Sequence, residues 1–214
     1  MKKIKKFFWI TIVIVFVFVL LAIIINSSTS DPESLDLVSE LKKEKQYSLP
    51  EGNNYWLGSD NPKVTIVEFA DFSCSACKST SPKLRKIIFS YSRDVKIIFR
   101  DFPVISEDSL TLAMAGRCAG EQGLFWLMHD KLFEEQGKID NSKLTSLTKE
   151  IGGDAEELTY CLKNQKYLDD IQKDFSLGEK LGVSGTPTLF INGYKVPGDL
   201  PEEALIRIVE GFLK

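Results

Sequence analysis

A β-branched, apolar run, Val64-Thr65-Ile66-Val67-Glu68-Phe69-Ala70, is followed four residues later by Cys74-Ser75-Ala76-Cys77 and a helix-like stretch to about Tyr91. Val95-Lys96-Ile97-Ile98-Phe99-Arg100 then supplies a second run with strand character. Strand, helix and strand at this spacing form a βαβ unit, normally a right-handed parallel crossover. No other part of the chain restricts the fold as strongly. Pro82 falls inside the expected helix and predicts a kink there.

The same context gives the two thiols their chemistry. It places them at the top of a strand and in the first turn of a helix. There the unpaired N–H groups and the positive end of the helix dipole favour a thiolate. Cys77, about one turn after Cys74, can reach back to close a disulfide, so the arrangement suits thiol–disulfide exchange. The spacing alone is only suggestive, because Cys-x-x-Cys is also half of a zinc site. Cys118 and Cys161 are far apart and offer no second such pair, and His129 has no cysteine near it in sequence. No metal site is therefore expected.

The N-terminus bears on the compartment. Lys2, Lys3, Lys5 and Lys6 precede the uncharged, nearly all apolar run Phe7 to Ile25. As a helix this run would reach about 28 Å, close to the thickness of a bilayer core. No small-x-small cleavage pattern follows it, which favours an uncleaved anchor over a cleaved signal. The lysines put residues 1–6 in the cytoplasm and the rest of the chain outside, where disulfides persist. Of 27 basic and 30 acidic side chains, setting those four lysines aside leaves 23 against 30, a balance of −7. That excludes a basic surface for nucleic acid.

Residues 26–54 read as a linker carrying a short amphipathic helix, marked by Leu35, Leu37, Val38 and Leu41. It could lie near the membrane or pack on the domain. A short strand or turn is expected around Tyr47 to Leu57. Residues 55–214 are long enough for one α/β domain with a full core. After the βαβ half, apolar residues recur at three- and four-residue intervals from about 107 to 182, indicating helices. Thr188-Leu189-Phe190-Ile191, Asn192-Gly193 and Tyr194-Lys195-Val196 read as a hairpin. Pro201-Glu202-Glu203 opens a last helix.

Two motifs, Glu68-Phe69-Ala70-Asp71-Phe72-Ser73-Cys74-Ser75-Ala76-Cys77 and Leu181-Gly182-Val183-Ser184-Gly185-Thr186-Pro187-Thr188, resemble the DsbA-like branch of the thioredoxin superfamily. So does the stretch Cys118-Ala119-Gly120-Glu121-Gln122-Gly123-Leu124-Phe125-Trp126 with Met128-His129-Asp130. The resemblance implies a thioredoxin fold, a central mixed β-sheet flanked by helices, with a helical insertion at about 103–183. It also implies that Cys74 is the exposed nucleophile and Cys77 the buried resolving thiol of a redox-active Cys74–Cys77 disulfide. Glu68, six residues before Cys74, would exchange a proton with Cys77; the alternative is an exposed strand-edge glutamate. Gly185, Thr186 and Pro187 would form a cis-proline loop beside the cysteines, with the Thr186 backbone pairing to a substrate chain. Without the resemblance, Gly-Thr-Pro reads as a turn.

The expected activity is thiol–disulfide exchange on exported proteins, without a bound cofactor. Re-oxidation would fall to a DsbB-like or vitamin K epoxide reductase-like membrane partner. Reductase or isomerase action, or a non-catalytic peptide-binding domain, are the alternatives. The Ser-Ala dipeptide lacks the histidine of the strongest oxidases of this kind, which implies a milder oxidant. Cys118 and Cys161 fall in separate helices of the insertion: an even cysteine count outside the cell favours a structural disulfide, against two buried reduced thiols or a second redox centre. His129 reads as a helix-face histidine satisfied by a neighbour, and Phe125, Met128 and Leu132 as core.

Overall fold

A computed structural model describes residues 32–214 of the chain. The anchor expected at Phe7–Ile25 lies outside those residues. Among the described residues, no helix is long and apolar enough to cross a membrane.

The run beginning at Val64 forms the central strand β2 (Val64–Ala70), six of whose seven residues are buried. It pairs in parallel with β3 (Val95–Asp101), register Val64 with Val95 through Ala70 with Asp101. Helix α2 (Ser75–Tyr91), with Pro82 inside it, makes the crossover. β1 (Trp56–Gly58) lies antiparallel on the outer side of β3. On the other side of β2 come β4 (Thr188–Ile191) and β5 (Tyr194–Pro197), both antiparallel, completing the order β1-β3-β2-β4-β5. Two central strands buried on both faces explain why Val64–Ala70 and Val95–Asp101 read as nearly continuous apolar runs rather than alternating ones. At the β4–β5 turn, Asn192 and Gly193 both take positive φ, 48° and 85°. That matches the right-handed strand twist and fits the two-residue hairpin.

Between β3 and β4 the chain forms α3 (Ser109–Glu121), α4 (Phe125–Glu134), α5 (Asn141–Glu150), α6 (Ala155–Lys163) and α7 (Leu168–Lys180). Asp140 and Asp154 cap α5 and α6 with side-chain bonds to Lys143 N–H and to Glu156 and Glu157 N–H. These helices hold a core of their own, with Met128 and Leu132 fully covered and Phe125 nearly so. It runs into the sheet through Ala70, Phe72, Phe99 and the two motif cysteines. Cys118 and Cys161 are bonded, with Cα atoms 5.9 Å apart, tying α3 to α6.

A second core, between the sheet and α2, includes Val64, Ile66, Leu84, Ile87, Leu189 and Ile208. The last helix, α8 (Glu202–Leu213), packs there, with Pro201 at its N-cap rather than in its first turn. The amphipathic segment forms α1 (Pro32–Leu41), whose Leu37 and Leu41 lie against this core. Sequence left the place of this helix open; the structure puts it on the domain. The chain after it covers the β5 edge. Gln46 bridges to Tyr194, and Tyr47 N–H donates to Gly193 O at 2.8 Å. An uncovered edge strand would present unpaired backbone groups, which this segment satisfies.

Candidate active site

Cys74 occupies the N-cap of α2, with extended backbone (φ −84°, ψ 121°). Its carbonyl accepts the first helical bond from Lys78 N–H at 3.1 Å. The extended turn ends β2 and aims the helix N-terminus at the thiols, where its dipole favours negative charge. Both cysteines are unbonded thiols here. Cys77 is wholly buried, and Cys74 is 7% exposed. Cys74 is therefore less open than the resemblance implied, since it packs in the core shared with the insertion and lies against Thr186. Its Sγ donates to Thr186 O at 3.1 Å, across 112 residues of sequence. The Thr186–Pro187 peptide bond is cis.

Glu68 lies on the central strand, not at an exposed edge. It is 1% exposed, and its Oε1 has no hydrogen-bond partner. Burial drives its carboxyl up from the ordinary 4.5 to about 8, only partly opposed by the Arg85 guanidinium. Arg85 is held away from a full pairing with Glu68. It donates to Asp130 Oδ1 from Nε and Nη2 (3.2 and 2.7 Å) and to Trp126 O, and it stacks 4.7 Å from the Trp126 ring. The Cys77 thiol is pushed strongly upward, first by burial and then by the nearby Glu68 charge. A carboxylic acid protonated at neutral pH thus sits within electrostatic reach of a thiol that resists ionising. Such a pair can pass a proton.

Two polar side chains that sequence reading passed over organise the loop before Cys74. Asp71, 2% exposed, accepts from Ser73 N–H (2.8 Å), Val104 N–H (2.7 Å) and Ile105 N–H (2.8 Å). One carboxylate therefore joins the motif loop to the β3–α3 loop. The Asp71 backbone carbonyl also accepts Cys74 N–H at 3.0 Å. Gln136, in the turn after α4, donates from Nε2 to Phe72 O (2.8 Å) and Cys74 O (3.0 Å). Asp71 had a local signal, an aspartate two residues before a serine at a strand end. Gln136 had none.

A buried ionic group braces the β3 end of the sheet. Arg117 contacts Asp101 (2.5 Å) and Asp174 (2.6 Å), and Arg100 pairs with Asp174. Burial raises the Asp101 carboxyl to about 6 against the pull of Arg117. Charged residues inside the apolar stretches of β3 and α3 were the available signal, since buried charge survives only when paired.

His129 is 2% exposed, with Nδ1 2.8 Å from Asp130 Oδ1 and its ring among Phe72, Phe99, Trp126 and Phe133. Burial lowers its pKa and disfavours the charged ring, partly opposed by Asp130. It is a packed core group beside the motif.

The family model described as Thioredoxin matches residues 51–211. The Na(+)/H(+) antiporter NhaA 3 of Salinispora tropica is 31% identical over 154 residues, 71% of this chain but 24% of that protein. The chain thus spans about a quarter of the length of the antiporter relatives it matches. The probable disulfide bond formation protein D of Bacillus cereus is 31% identical over 150 residues, covering 64% of this chain and 69% of that one. Among solved structures, oxidised BdbD from Bacillus subtilis superposes with a TM-score of 0.71 at 27% identity, over 78% of this chain and 96% of that one.

Proposed function

The chain belongs to the thioredoxin family, and on that premise we propose that it is a DsbA-type thiol–disulfide oxidoreductase that forms disulfide bonds in exported proteins. The observation that carries this reading is the placement of Cys74 at the N-cap of α2. Cys77 is buried one turn on, and the buried Glu68, its carboxyl raised to about 8 by burial, lies close enough to act on it electrostatically. The relatives named for disulfide bond formation support the same chemistry.

In the oxidising direction the resting state is the Cys74–Cys77 disulfide. A substrate thiolate attacks Cys74 Sγ, forming a mixed disulfide and expelling Cys77 as a thiolate. That anion would be stranded in an apolar core, so Glu68 gives it a proton. A second substrate thiolate then attacks the substrate sulfur of the mixed disulfide and releases Cys74. The substrate dithiol has lost two electrons and two protons; Cys74 and Cys77 have gained the electrons, and the protons pass to solvent, to the released Cys74 and back to Glu68. The Thr186 backbone lies against Cys74, where an extended substrate segment can pair with it as an added strand. Exposed Val104 and Ile105, on the loop that Asp71 ties to the motif, offer apolar contact to an unfolded chain.

The enzyme is held by Phe7–Ile25 as a single-pass anchor, residues 1–6 in the cytoplasm and the domain outside. The Cys118–Cys161 bond supports this reading, since such bonds persist outside the cytoplasm. A DsbB-like or vitamin K epoxide reductase-like partner in the same membrane re-oxidises Cys74 and Cys77.

Insulin reduction and refolding of a reduced, disulfide-bearing protein test the reading, with wild type set against Cys74→Ser. Activity in wild type and its loss in the variant are expected. Equal inactivity of the two proteins in both assays would sink the proposal.

A further inference from the structure

Thr80, three residues after Cys77 on α2, is fully buried, and its Oγ1 donates to Gly198 O at 3.0 Å. Gly198, also buried, lies between β5 and α8 and donates its own N–H to Pro187 O at 3.1 Å. A Cβ at position 198 would stand 2.3 Å from that oxygen, so only glycine allows this approach. The next residue back, Thr186, accepts the Cys74 thiol. These contacts close a ring that leaves Cys74 along α2 and returns to its sulfur through Thr80, Gly198, Pro187 and Thr186. Lys83 Nζ, one turn after Thr80, also donates to Leu200 O at 2.9 Å and steadies the same loop.

We propose that Thr80 is a positioning residue: by holding the Gly198 peptide it fixes how far the 185–187 loop stands from Cys74 Sγ. The inference rests on the oxidoreductase reading and deepens it. The Thr186 carbonyl stands 3.1 Å from the Cys74 sulfur, so its distance weights the thiol, from which it accepts, against the thiolate that the helix N-terminus favours. Removing the Thr80 hydroxyl leaves the buried Gly198 carbonyl without its partner, so the loop shifts to find another. The Thr186 carbonyl then no longer holds its distance from the Cys74 sulfur, and the balance between the disulfide and the reduced pair changes.

The test uses the full chain, purified in detergent, as wild type, Thr80→Ser, Thr80→Val and Gly198→Ala. Each is equilibrated with reduced and oxidised glutathione, and kcat and KM are measured on a reduced dithiol peptide. A hydrogen bond of ordinary net strength predicts a roughly threefold to tenfold change in the Thr80→Val equilibrium constant. Tenfold corresponds to about 30 mV for this two-electron couple. Thr80→Ser, which keeps the donor, should stay close to wild type. Gly198→Ala, which displaces Pro187 from the other side, should reproduce Thr80→Val. Wild-type constants in both Thr80→Val and Gly198→Ala overturn the proposal alone, as does a Thr80→Ser as impaired as Thr80→Val. A wild type inert to glutathione and to the peptide overturns the oxidoreductase reading, and the proposal with it.

Discussion

Replacing Glu68 by glutamine deletes a titration that the fold has moved from 4.5 to about 8. Below pH 4.5 the carboxyl is protonated in both folded and unfolded chains. Between the two values the folded chain keeps the proton and the unfolded chain has lost it, so raising the pH favours unfolding. Above about 8 both are ionised and the dependence stops. One proton contributes about 1.4 kcal/mol per pH unit, so wild type should lose roughly 5 kcal/mol across the whole window. Asp101, raised to about 6, titrates in the same range in both proteins. The informative quantity is therefore the difference between wild type and Glu68→Gln. Urea denaturation with the thiols kept reduced by a phosphine should show the variant gaining on wild type by about 3–4 kcal/mol between pH 5 and pH 8. A difference that stays constant over that range would mean that Glu68 ionises normally. It would remove the basis for the proton relay.

The same substitution should slow opening of the Cys74–Cys77 disulfide by a thiol at neutral pH on the order of 10²-fold, measured by stopped-flow fluorescence, because Cys77 loses its proton donor. Replacing Cys118 and Cys161 by alanine should cost about 4 kcal/mol on thermal unfolding while leaving the Cys74–Cys77 exchange equilibrium unchanged. Asp71→Ala frees three backbone N–H groups at once; chemical denaturation should show a loss of about 2–5 kcal/mol, and kcat/KM on a peptide dithiol should fall as the motif loop loosens. Arg117→Met leaves Asp101 and Asp174 short of a buried countercharge and should destabilise the domain by about 3–5 kcal/mol in the same assay at pH 7.

The strands and helices that carry the motif were legible because their signals are local. Val64–Ala70 and Val95–Asp101 are short apolar runs bounded by polar turns, and Asn192-Gly193 marks its hairpin unaided. The βαβ unit follows from spacing alone. Glu68 illustrates the limit of such reading. Its neighbours made burial plausible, but only the pairing of β2 with strands on both sides removed the exposed alternative. An even cysteine count favoured joining Cys118 to Cys161, but whether they meet depends on how α3 packs against α6, and there the two are bonded. The segment after α1 carries no pattern announcing that it will cover β5, because the edge it satisfies lies about 150 residues away.

Sequence by itself determined the chemistry this chain presents: two thiols at the start of a helix, above a strand bearing one carboxyl, with a Gly-Thr-Pro segment near the far end. Tertiary structure decided the environment that makes the chemistry selective. Burial of Glu68 sets the carboxyl near 8, and the Thr186 carbonyl meets Cys74 across 112 residues. Asp71, Gln136 and Thr80 became partners of the site through hydrogen bonds to other loops. The division follows from range. Secondary structure is dictated by neighbours along the chain, whereas desolvation and hydrogen-bond geometry depend on which distant segments exclude water from one another.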